Sequence, residues 1–274
     1  MKKPEIRLIA LDMDGTLSLP DNTVSKRNMR ALQAAAERGV AIAACSGRTM
    51  AALPPQLLDA DWFRYGIAAN GACVVDRRKG LLHREMLTTE TALELIRAGE
   101  ALGAVAEPAV NGELYINEAD AELERECVMD CYRDTIALYR SAVPDVRELV
   151  RAGSGVEKLL FFCPTDEIWR ELVELIPARY NVSAYISAPK TLEVMKTGVS
   201  KGSGLKKLAE LLNIPPEQVM VCGDERNDLP MFTLGCFNVA MGNAVAPIRE
   251  LADYVTGSCF EDGVAAAVEK FVLG

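Results

Sequence analysis

Apolar runs that resemble buried strands alternate with helical patterns at both ends of this 274-residue chain. Residues 6–11 form one run and residues 40–45 form another, with a segment of helical apolar spacing between them. The same alternation returns over residues 201–272. Apolar runs of this kind are typical of strands that are buried on both faces of a parallel sheet. The pattern therefore predicts a doubly wound α/β core.

The middle of the chain has a different pattern. Asn111-Gly112 separates two short strand-like runs and is the strongest hairpin signal in the sequence. Helical and strand-like segments surround it (89–102, 119–140, 156–163, 166–176, 182–188 and 191–195). Because hairpins are mixed with helices, we expect an α+β domain inserted at residues 84–190. Residues 1–83 and 191–274 are then expected to form the core.

Thirty Lys and Arg residues against 39 Asp and Glu residues give the chain a net charge of −9. A chain this acidic, without a basic run, lacks the charge that neutralises nucleic-acid phosphates or an anionic membrane surface. No window approaches the ~18 unbroken apolar residues of a membrane span. We therefore expect neither a nucleic-acid nor a membrane partner, and the sequence leaves the oligomeric state open.

One histidine and eight cysteines limit the chemistry that the side chains can provide. With His83 as the single histidine, a His-rich metal site cannot form, and acid–base chemistry is expected to belong to carboxylates. The cysteines are dispersed, and although Cys127 and Cys131 could share a helix face, no second pair completes a zinc site. Reduced cysteines used as small apolar residues indicate a cytoplasmic protein.

The pentapeptide DMDGT at 12–16 follows the first buried run directly. Side chains at positions i and i+2 of an extended backbone point the same way, so the carboxylates of Asp12 and Asp14 are expected to face one spot. That spot lies at the carboxyl end of a strand, where open α/β sheets bind ligands. Two anions held together favour a divalent metal with oxygen ligands between them.

Two further motifs offer groups that could bind a phosphate. Ser46-Gly47 follows the second strand and combines a hydroxyl with an open main-chain N–H, although a plain turn with a serine N-cap is the alternative. Arg48, the next residue, could equally be a surface residue. Lys201 lies in the first turn of a predicted helix, where the helix dipole disfavours a cation. A dianion in front of Lys201 would explain this placement, and an exposed lysine with a small penalty is the alternative.

An acidic loop follows the strand predicted at 218–222. Its residues Asp224 and Asp228 could add oxygens for a metal, and Asn227 a neutral hydrogen bond. A solvated loop, or caps for a short helix from Asp228, is the alternative. This loop, the carboxylate pair, the Ser-Gly and the lysine all fall at strand ends or helix starts of one predicted sheet. That conjunction predicts a single site.

The sequence resembles the haloacid dehalogenase (HAD) superfamily of phosphatases, in the Cof-type branch called IIB. The four family signatures read DMDGT at 12–16, SGR at 46–48, GVSKG at 198–202 and GDERND at 223–228. Three further segments are typical of the branch: NGA at 70–72, MGNA at 241–244 and EDGVA at 261–265. The resemblance covers essentially the full chain. It implies a Rossmann-like core with a cap inserted between the second and third signatures.

The resemblance also implies a role for each matched residue. Asp12 would be the nucleophile that becomes an aspartyl-phosphate, and Asp14 would protonate the leaving oxygen and then activate water. Mg²⁺ would be held by the Asp12 carboxylate, the Asp14 main-chain carbonyl and Asp224, with Asp228 in direct contact or in support. The groups that would hold the phosphoryl oxygens are Ser46, the Gly47 N–H, Lys201, Asn227 and the Met13 N–H.

Two departures from the family pattern fall within these motifs. Ser46 stands where Thr is commoner, which retains the hydroxyl. Glu225 replaces a frequent Ser and adds an anion near the expected metal, which could shift metal affinity or substrate choice. Neither departure removes a group that the chemistry requires.

The function implied is that of a cytoplasmic, Mg²⁺-dependent phosphomonoester hydrolase acting on a small phosphorylated metabolite, with a sugar phosphate as the expected substrate. A phosphomutase of the same superfamily is one alternative, and a phospho-ligand-binding protein without turnover is another. The intact set of Asp12, Asp14, Lys201 and Asp224 favours an enzyme, since a pure binder has no need of two adjacent carboxylates.

Overall fold

A computed structural model describes residues 5–127, 139–153 and 155–274 of the chain. The chain divides into two compact units. The first unit, here called the core, runs up to His83 and resumes at Ser200. The second unit, here called the cap, spans Arg84–Val199.

Strands and helices of the described residues are numbered in chain order. The strands are β1 (Leu8–Leu11), β2 (Ala41–Cys45), β3 (Tyr65–Ala68), β4 (Cys73–Asp76), β5 (Gly80–Arg84), β6 (Val105–Val110), β7 (Glu113–Asn117), β8 (Arg140–Val143), β9 (Lys158–Phe162), β10 (Val182–Tyr185), β11 (Thr191–Lys196), β12 (Val219–Gly223), β13 (Phe237–Ala240) and β14 (Tyr254–Val255). The α-helices are α1 (Lys26–Glu37), α2 (Pro55–Leu58), α3 (Thr89–Leu102), α4 (Ala121–Cys127), α5 (Val146–Ala152), α6 (Asp166–Arg179), α7 (Lys201–Leu212), α8 (Leu229–Phe232), α9 (Ala246–Glu250) and α10 (Gly263–Val268).

The core sheet has the strand order β14-β13-β12-β1-β2-β3-β4-β5. Strand β1 is parallel to both of its neighbours, β2 and β12, while β3 and β4 pair antiparallel. All four residues of β1 are apolar and buried, as the sequence indicates. Because the chain winds outward from β1 on both sides, the α/β fold is doubly wound. The carboxyl ends of β1, β2 and β12 therefore border the crevice where such sheets bind ligands.

The cap sheet has the order β10-β11-β9-β6-β7-β8 and is mostly antiparallel. Apolar residues of its strands and of α3, α5 and α6 form one buried cluster, which includes Leu95, Val150, Phe161 and Leu172. The hairpin between β6 and β7 turns at Asn111-Gly112, with φ of 56° and 81°. The sequence predicts this hairpin correctly, because Asn and Gly tolerate the left-handed conformation that such turns require.

The cap ends later than the sequence indicates. The strand expected at 191–195 exists as β11, but it pairs with β9 and β10 of the cap sheet. The expected boundary lies before residue 191, whereas the structure places it between Val199 and Ser200. The sequence of Thr191–Lys196 is compatible with a buried strand of the core sheet or of the cap sheet, so its composition does not predict which sheet it joins.

The helix expected at 119–140 is found only in part. Its described portion is helical at Ala121–Cys127, residues 128–138 lie outside the described residues, and residues 140–143 form strand β8. That end of the expected helix is wrong, because Arg140–Val143 is extended and pairs with β7. Helix α5 is not expected from the sequence, although Asp145 caps it by accepting a hydrogen bond from the Arg147 N–H at 2.8 Å.

Within the described ranges, every helix is too short or too polar to span a membrane. The cysteines of the described residues are free thiols and most are buried, as expected for small apolar residues. Of the pair expected to share a helix face, Cys127 ends α4, and Cys131 lies outside the described residues.

Candidate active site

The predicted site residues follow the carboxyl ends of neighbouring core strands. Asp12 directly follows β1, and its N–H donates to the carbonyl of Cys222 in β12 at 3.0 Å. Ser46 directly follows β2, and Asp224 directly follows β12. The parallel register therefore places three of the predicted motifs at one edge of the sheet.

Lys201 is buried between two carboxylates of this edge. Its Nζ donates to Asp12 Oδ1 at 2.5 Å and to Asp228 Oδ1 at 2.7 Å, and its side chain is 2% exposed. Ser200 caps the helix that Lys201 begins, through a reciprocal pair of hydrogen bonds with Ser203. The alternative of an exposed lysine is therefore wrong. Burial opposes the charge, but the two neighbouring carboxylates raise the pKa of Lys201 and keep it an ammonium.

Three carboxylates lie close enough to share one cation. Asp12, Asp224 and Asp228 each offer an oxygen within 4.8 Å of the other two, in a search of the described residues. Burial, followed by the charge of Asp228, raises the pKa of Asp12 well above its ordinary value. Burial likewise raises the pKa of Asp224 to about 6. A divalent cation prefers oxygen ligands and would offset this crowding of anions, so the donor set fits Mg²⁺.

Asp224 is oriented by two neutral donors from other loops. Thr16 Oγ1 donates to its Oδ1 at 2.8 Å, and Asn243 Nδ2 donates to its Oδ2 at 3.0 Å. Asn243 also donates to the Gly15 carbonyl at 2.8 Å. Gly15 has φ of +83°, and a Cβ built there would lie 2.3 Å from Asp224 Oδ2. Only a glycine therefore allows the DMDGT turn to approach Asp224 this closely.

Asp228 uses both carboxylate oxygens for protein donors. Its Oδ1 accepts from Lys201, and its Oδ2 accepts from the main-chain N–H groups of Asp224 at 3.0 Å and Glu225 at 3.1 Å. The side chain is fully buried, and a Cβ at Gly223 would come within 2.7 Å of Oδ2. Asp228 thus fixes both the ammonium and the loop that presents Asp224. The solvated-loop alternative is wrong for this residue.

The other side chains predicted to bind phosphate occupy the same loops. Ser46 is buried, and its Oγ accepts from the Arg48 N–H at 3.1 Å, so the serine also stabilises its own turn. Gly47 is half-buried beside it. Asn227 is half-buried in the 3₁₀ turn that ends at Asp228, and the Met13 side chain is fully buried in the core.

Asp14 does not join the three clustered carboxylates. Its Oδ1 accepts from Arg48 Nη2 at 2.5 Å and its Oδ2 accepts from Arg48 Nε at 3.0 Å. The expectation that the side chains of Asp12 and Asp14 face one cation therefore does not describe this geometry, because Arg48 draws the second carboxylate to itself. The surface reading of Arg48 is also wrong, since its side chain is only 15% exposed.

Sequence reasoning did not single out three groups that shape the site. Thr16 and Asn243 hold Asp224, and Asn22 accepts from Arg48 Nη1 at 2.5 Å. Thr16 and Asn243 stand inside the DMDGT and MGNA segments, which are the signal that could have identified them. Asn22 stands in a turn without a motif, so no comparable signal marks it.

Comparisons with known proteins identify the family of the chain. A family model described as haloacid dehalogenase-like hydrolase matches residues 9–268. The chain is similar to the 5-amino-6-(5-phospho-D-ribitylamino)uracil phosphatase YcsE of Bacillus subtilis, with 28% identity over 98% of this chain and 97% of that protein. It is also similar to the solved structure of a haloacid dehalogenase-like hydrolase from B. subtilis, with a TM-score of 0.84 and 26% identity. That match covers 97% of this chain and 100% of the other.

A more distant structure shares the fold. It is the HAD subclass IIB sugar phosphatase BT4131, with a TM-score of 0.78 and 23% identity, over 97% of this chain and 98% of the other. The family match spans nearly all of the chain, including the four loops that carry Asp12, Ser46, Lys201 and Asp224. The chain therefore belongs to the haloacid dehalogenase-like hydrolases and is a phosphatase of that superfamily.

Proposed function

We propose that this phosphatase hydrolyses small phosphorylated metabolites with Mg²⁺, through an aspartyl-phosphate at Asp12. One observation supports this proposal above the others: the carboxylate of Asp12 is buried at the carboxyl end of β1, against the ammonium of Lys201 and beside Asp224. In the proposed reaction, Asp12 would be the nucleophile, Lys201 the cation beside it and Asp224 a further metal ligand. A phosphoryl group carries charge that such an arrangement stabilises during transfer.

In the first step, an Asp12 oxygen attacks phosphorus, and the bond from phosphorus to the leaving oxygen breaks. Asp14 supplies the proton that the leaving oxygen takes up. In the second step, Asp14 accepts a proton from water as that water attacks the acyl phosphate, which releases inorganic phosphate and restores the Asp12 carboxylate. Dividing the reaction in this way replaces one difficult step with two easier ones.

Mg²⁺ would be held by the Asp12 carboxylate, the Asp14 main-chain carbonyl and Asp224, and would neutralise charge on the transferred group. We assign Asp228 a supporting role, because its two oxygens already accept from Lys201 and from main-chain N–H groups. Lys201 would balance the remaining negative charge of the phosphoryl group. The other groups proposed to hold the phosphoryl oxygens are the Ser46 hydroxyl, the N–H groups of Gly47 and Met13, and Asn227.

The substrate class we propose is a phosphate ester of a sugar or an acyclic sugar alcohol. Support comes from the B. subtilis relative, whose name specifies a phosphoribitylamino compound, and from the IIB sugar phosphatase that shares the fold. The free, mostly buried cysteines support a cytoplasmic location, where thiols stay reduced.

The test is hydrolysis of p-nitrophenyl phosphate by the purified protein with Mg²⁺, against an EDTA control. We expect turnover that EDTA abolishes, and a loss of about 10⁴-fold or more in the Asp12→Asn variant, because the nucleophile is gone. Circular dichroism and the melting temperature should show that this variant is folded. Metal-independent activity, or near-normal activity of Asp12→Asn, would contradict the proposal.

A panel of sugar phosphates, sugar-alcohol phosphates, 5-amino-6-(5-phospho-D-ribitylamino)uracil and nucleotides then tests the substrate class. We expect the highest kcat/KM on a sugar or sugar-alcohol ester, with one phosphate released per ester consumed. A preference for nucleotides would contradict the class. Exchange of the phosphoryl group between positions of a sugar, without release of phosphate, would instead identify a phosphomutase.

A further inference from the structure

We infer that Arg48, itself anchored by Asn22, is a positioning residue that holds the Asp14 carboxylate in place for proton transfer with the leaving oxygen. This inference rests on the proposed function, because it needs Asp14 to exchange a proton during ester cleavage. Arg48 and Asn22 have no chemical role among those that the family resemblance implies.

The contact between Arg48 and Asp14 is bidentate. Nη2 and Nε each reach a different carboxylate oxygen, at 2.5 and 3.0 Å. Two parallel charge-assisted hydrogen bonds fix the plane of a carboxylate as well as its position, which a single contact cannot do. Without such a partner, a side chain like that of Asp14, which is 41% exposed, would sample several rotamers.

The guanidinium is held on its remaining edge. Its Nη1 donates to Asn22 Oδ1 at 2.5 Å and to the Ala52 carbonyl at 2.9 Å. The main-chain N–H of Arg48 is bound by Ser46 Oγ at 3.1 Å, so both ends of the residue are tied down. An arginine that is 15% exposed and fixed on both edges has lost its side-chain freedom already in the folded state.

Asn22 is in turn fixed by its backbone. It has φ of +60°, its N–H donates to the Leu19 carbonyl at 2.9 Å, and its side chain is mostly buried. Asn is among the few non-glycine residues that adopt this left-handed conformation readily. These contacts therefore join three segments of the core, at residues 19–22, 48–52 and 14, through the guanidinium of Arg48. The position of the Asp14 carboxylate therefore depends on the positions of residues 19–22 and 48–52.

The chemical consequence depends on the leaving group. Cleavage of an alkyl phosphate expels an alkoxide, which needs a proton as the bond from phosphorus to oxygen breaks. A nitrophenolate leaves without one. A proton donor acts only within hydrogen-bond reach of the oxygen, at about 2.6–3.2 Å, so a displaced Asp14 should slow this first step selectively for alkyl esters, whereas a loss in the second step is common to both esters. Loss of a merely structural contact would slow both esters equally.

The experiment compares kcat/KM, which reports only the steps up to ester cleavage, for an alkyl ester, glycerol phosphate or ribose 5-phosphate, with that for p-nitrophenyl phosphate. We expect Arg48→Gln to lower kcat/KM on the alkyl ester about 100-fold and on the nitrophenyl ester less than about fivefold. Arg48→Lys keeps the positive charge but loses the bidentate guanidinium. The ratio of the loss on the alkyl ester to the loss on the nitrophenyl ester should therefore be intermediate. Asn22→Ala should change the ratio in the same direction by a smaller factor.

A matched control is Arg27→Gln. Arg27 makes a similar bidentate pair with Glu269, at 3.1 and 2.7 Å, on the exposed surface of the core. This variant should leave the ratio unchanged. Equal losses of kcat/KM on both esters in folded Arg48 and Asn22 variants would overturn the inference, because Arg48 would then be a phosphate-binding or merely structural residue. Wild-type protein without turnover on any ester would overturn the proposed function together with this inference.

Discussion

The core and the cap each contain a cluster of buried charged side chains, and the two clusters differ in the hydrogen bonds and ion pairs that compensate those charges. In the core, Lys201 reaches Asp12 and Asp228 at hydrogen-bond distance, and both oxygens of Asp228 have protein donors. In the cap, both carboxylate oxygens of Glu107 are buried without a hydrogen-bond partner among the described residues, and its ion-pair contact with Arg140 is 3.9 Å long.

The cap cluster follows from the register of its sheet. Glu107 of β6 and Glu193 of β11 both lie opposite Leu160 of β9, so their side chains share one face of the sheet. Lys158 of β9 pairs with Glu193 at 3.1 Å on the same face. Glu124 contacts Arg140 directly. The opposite face carries the apolar residues that pack against the cap helices.

Buried charges that take part in catalysis can be distinguished from the others by their partners. The core carboxylates converge from two loops, and each has a cation or donor that fixes it in place. Glu107 has no hydrogen-bond donor among the described residues. Burial together with the charge of Glu124, only partly offset by Arg140 and Lys158, raises its pKa to about 8. We therefore expect the core cluster to govern activity and the cap carboxyl to govern stability. The predictions below test this division.

Lys201→Met should have the largest effect on stability. It removes the ammonium between Asp12 and Asp228 and leaves two buried carboxylates without a cation, at a cost of about 3–5 kcal/mol in the free energy of unfolding. Because Mg²⁺ would be held by the Asp12 carboxylate beside Asp228, it should recover part of the loss. Urea unfolding with and without Mg²⁺ measures both effects.

Lys207→Met is the matched control on the same helix, since Lys207 is 39% exposed and lies 3.8 Å from Glu210. It should change stability by less than about 0.5 kcal/mol. If Lys201→Met were as stable as this control without metal, the core cluster would not depend on its lysine.

Glu107→Gln should stabilise the cap above neutral pH. In the folded state the pKa of Glu107 is about 8, above its ordinary 4.5, so the folded protein binds more protons than the unfolded chain between these values. The free energy of unfolding of the wild type should therefore fall as pH rises through this window. Gln has no charge to bury, so the variant should gain about 1–3 kcal/mol at pH 8 and little at pH 5.

Glu157→Gln provides the contrast within the cap. Glu157 is equally buried, but it accepts from Arg84 Nε at 2.9 Å and from the Gly112 N–H at 3.1 Å. Its replacement should destabilise the protein at both pH values. Thermal unfolding at pH 5 and pH 8 compares the wild type with both variants. A gain in stability by Glu107→Gln that did not grow with pH would contradict the raised pKa of Glu107.

Glu225→Gln should have the smallest effect. Glu225 departs from the family pattern beside Asp224, but it is exposed and its Oε1 accepts from the Arg226 N–H at 2.7 Å. Solvent screens an exposed charge, so removing it should weaken the apparent Mg²⁺ affinity by less than about threefold. Titration of activity against Mg²⁺ measures this change. A tenfold loss would instead make Glu225 part of the metal site.

The sequence predicts the core and the edge that carries the site, because both depend on local patterns. A buried apolar run followed at once by Asp12, Ser46 or Asp224 places each residue at a strand end, and parallel strands bring those ends together. Lys201 is predictable because a cation in the first turn of a helix opposes the dipole and requires a partner.

Features that depend on long-range side-chain contacts are not predictable in this way. Arg48 and Asp14 are 34 residues apart, and nothing near either residue shows that they pair. Glu107 stands in a strand where a polar residue reads as solvent-facing, whereas the sheet buries it completely. The sheet to which Thr191–Lys196 belongs is decided by its pairing partners, which lie outside the run itself.

The most direct test of the proposed chemistry is to trap the covalent intermediate at Asp12. In an Asp14→Asn variant the base for the second step is absent, so a substrate with a good leaving group and a labelled phosphoryl group should load the enzyme and stall. After an acid quench, we expect a hydroxylamine-sensitive label on the peptide that contains Asp12, and no label when Asp12 is also replaced by Asn. A label on another residue, or steady release of phosphate from folded Asp12→Asn enzyme, would contradict the account.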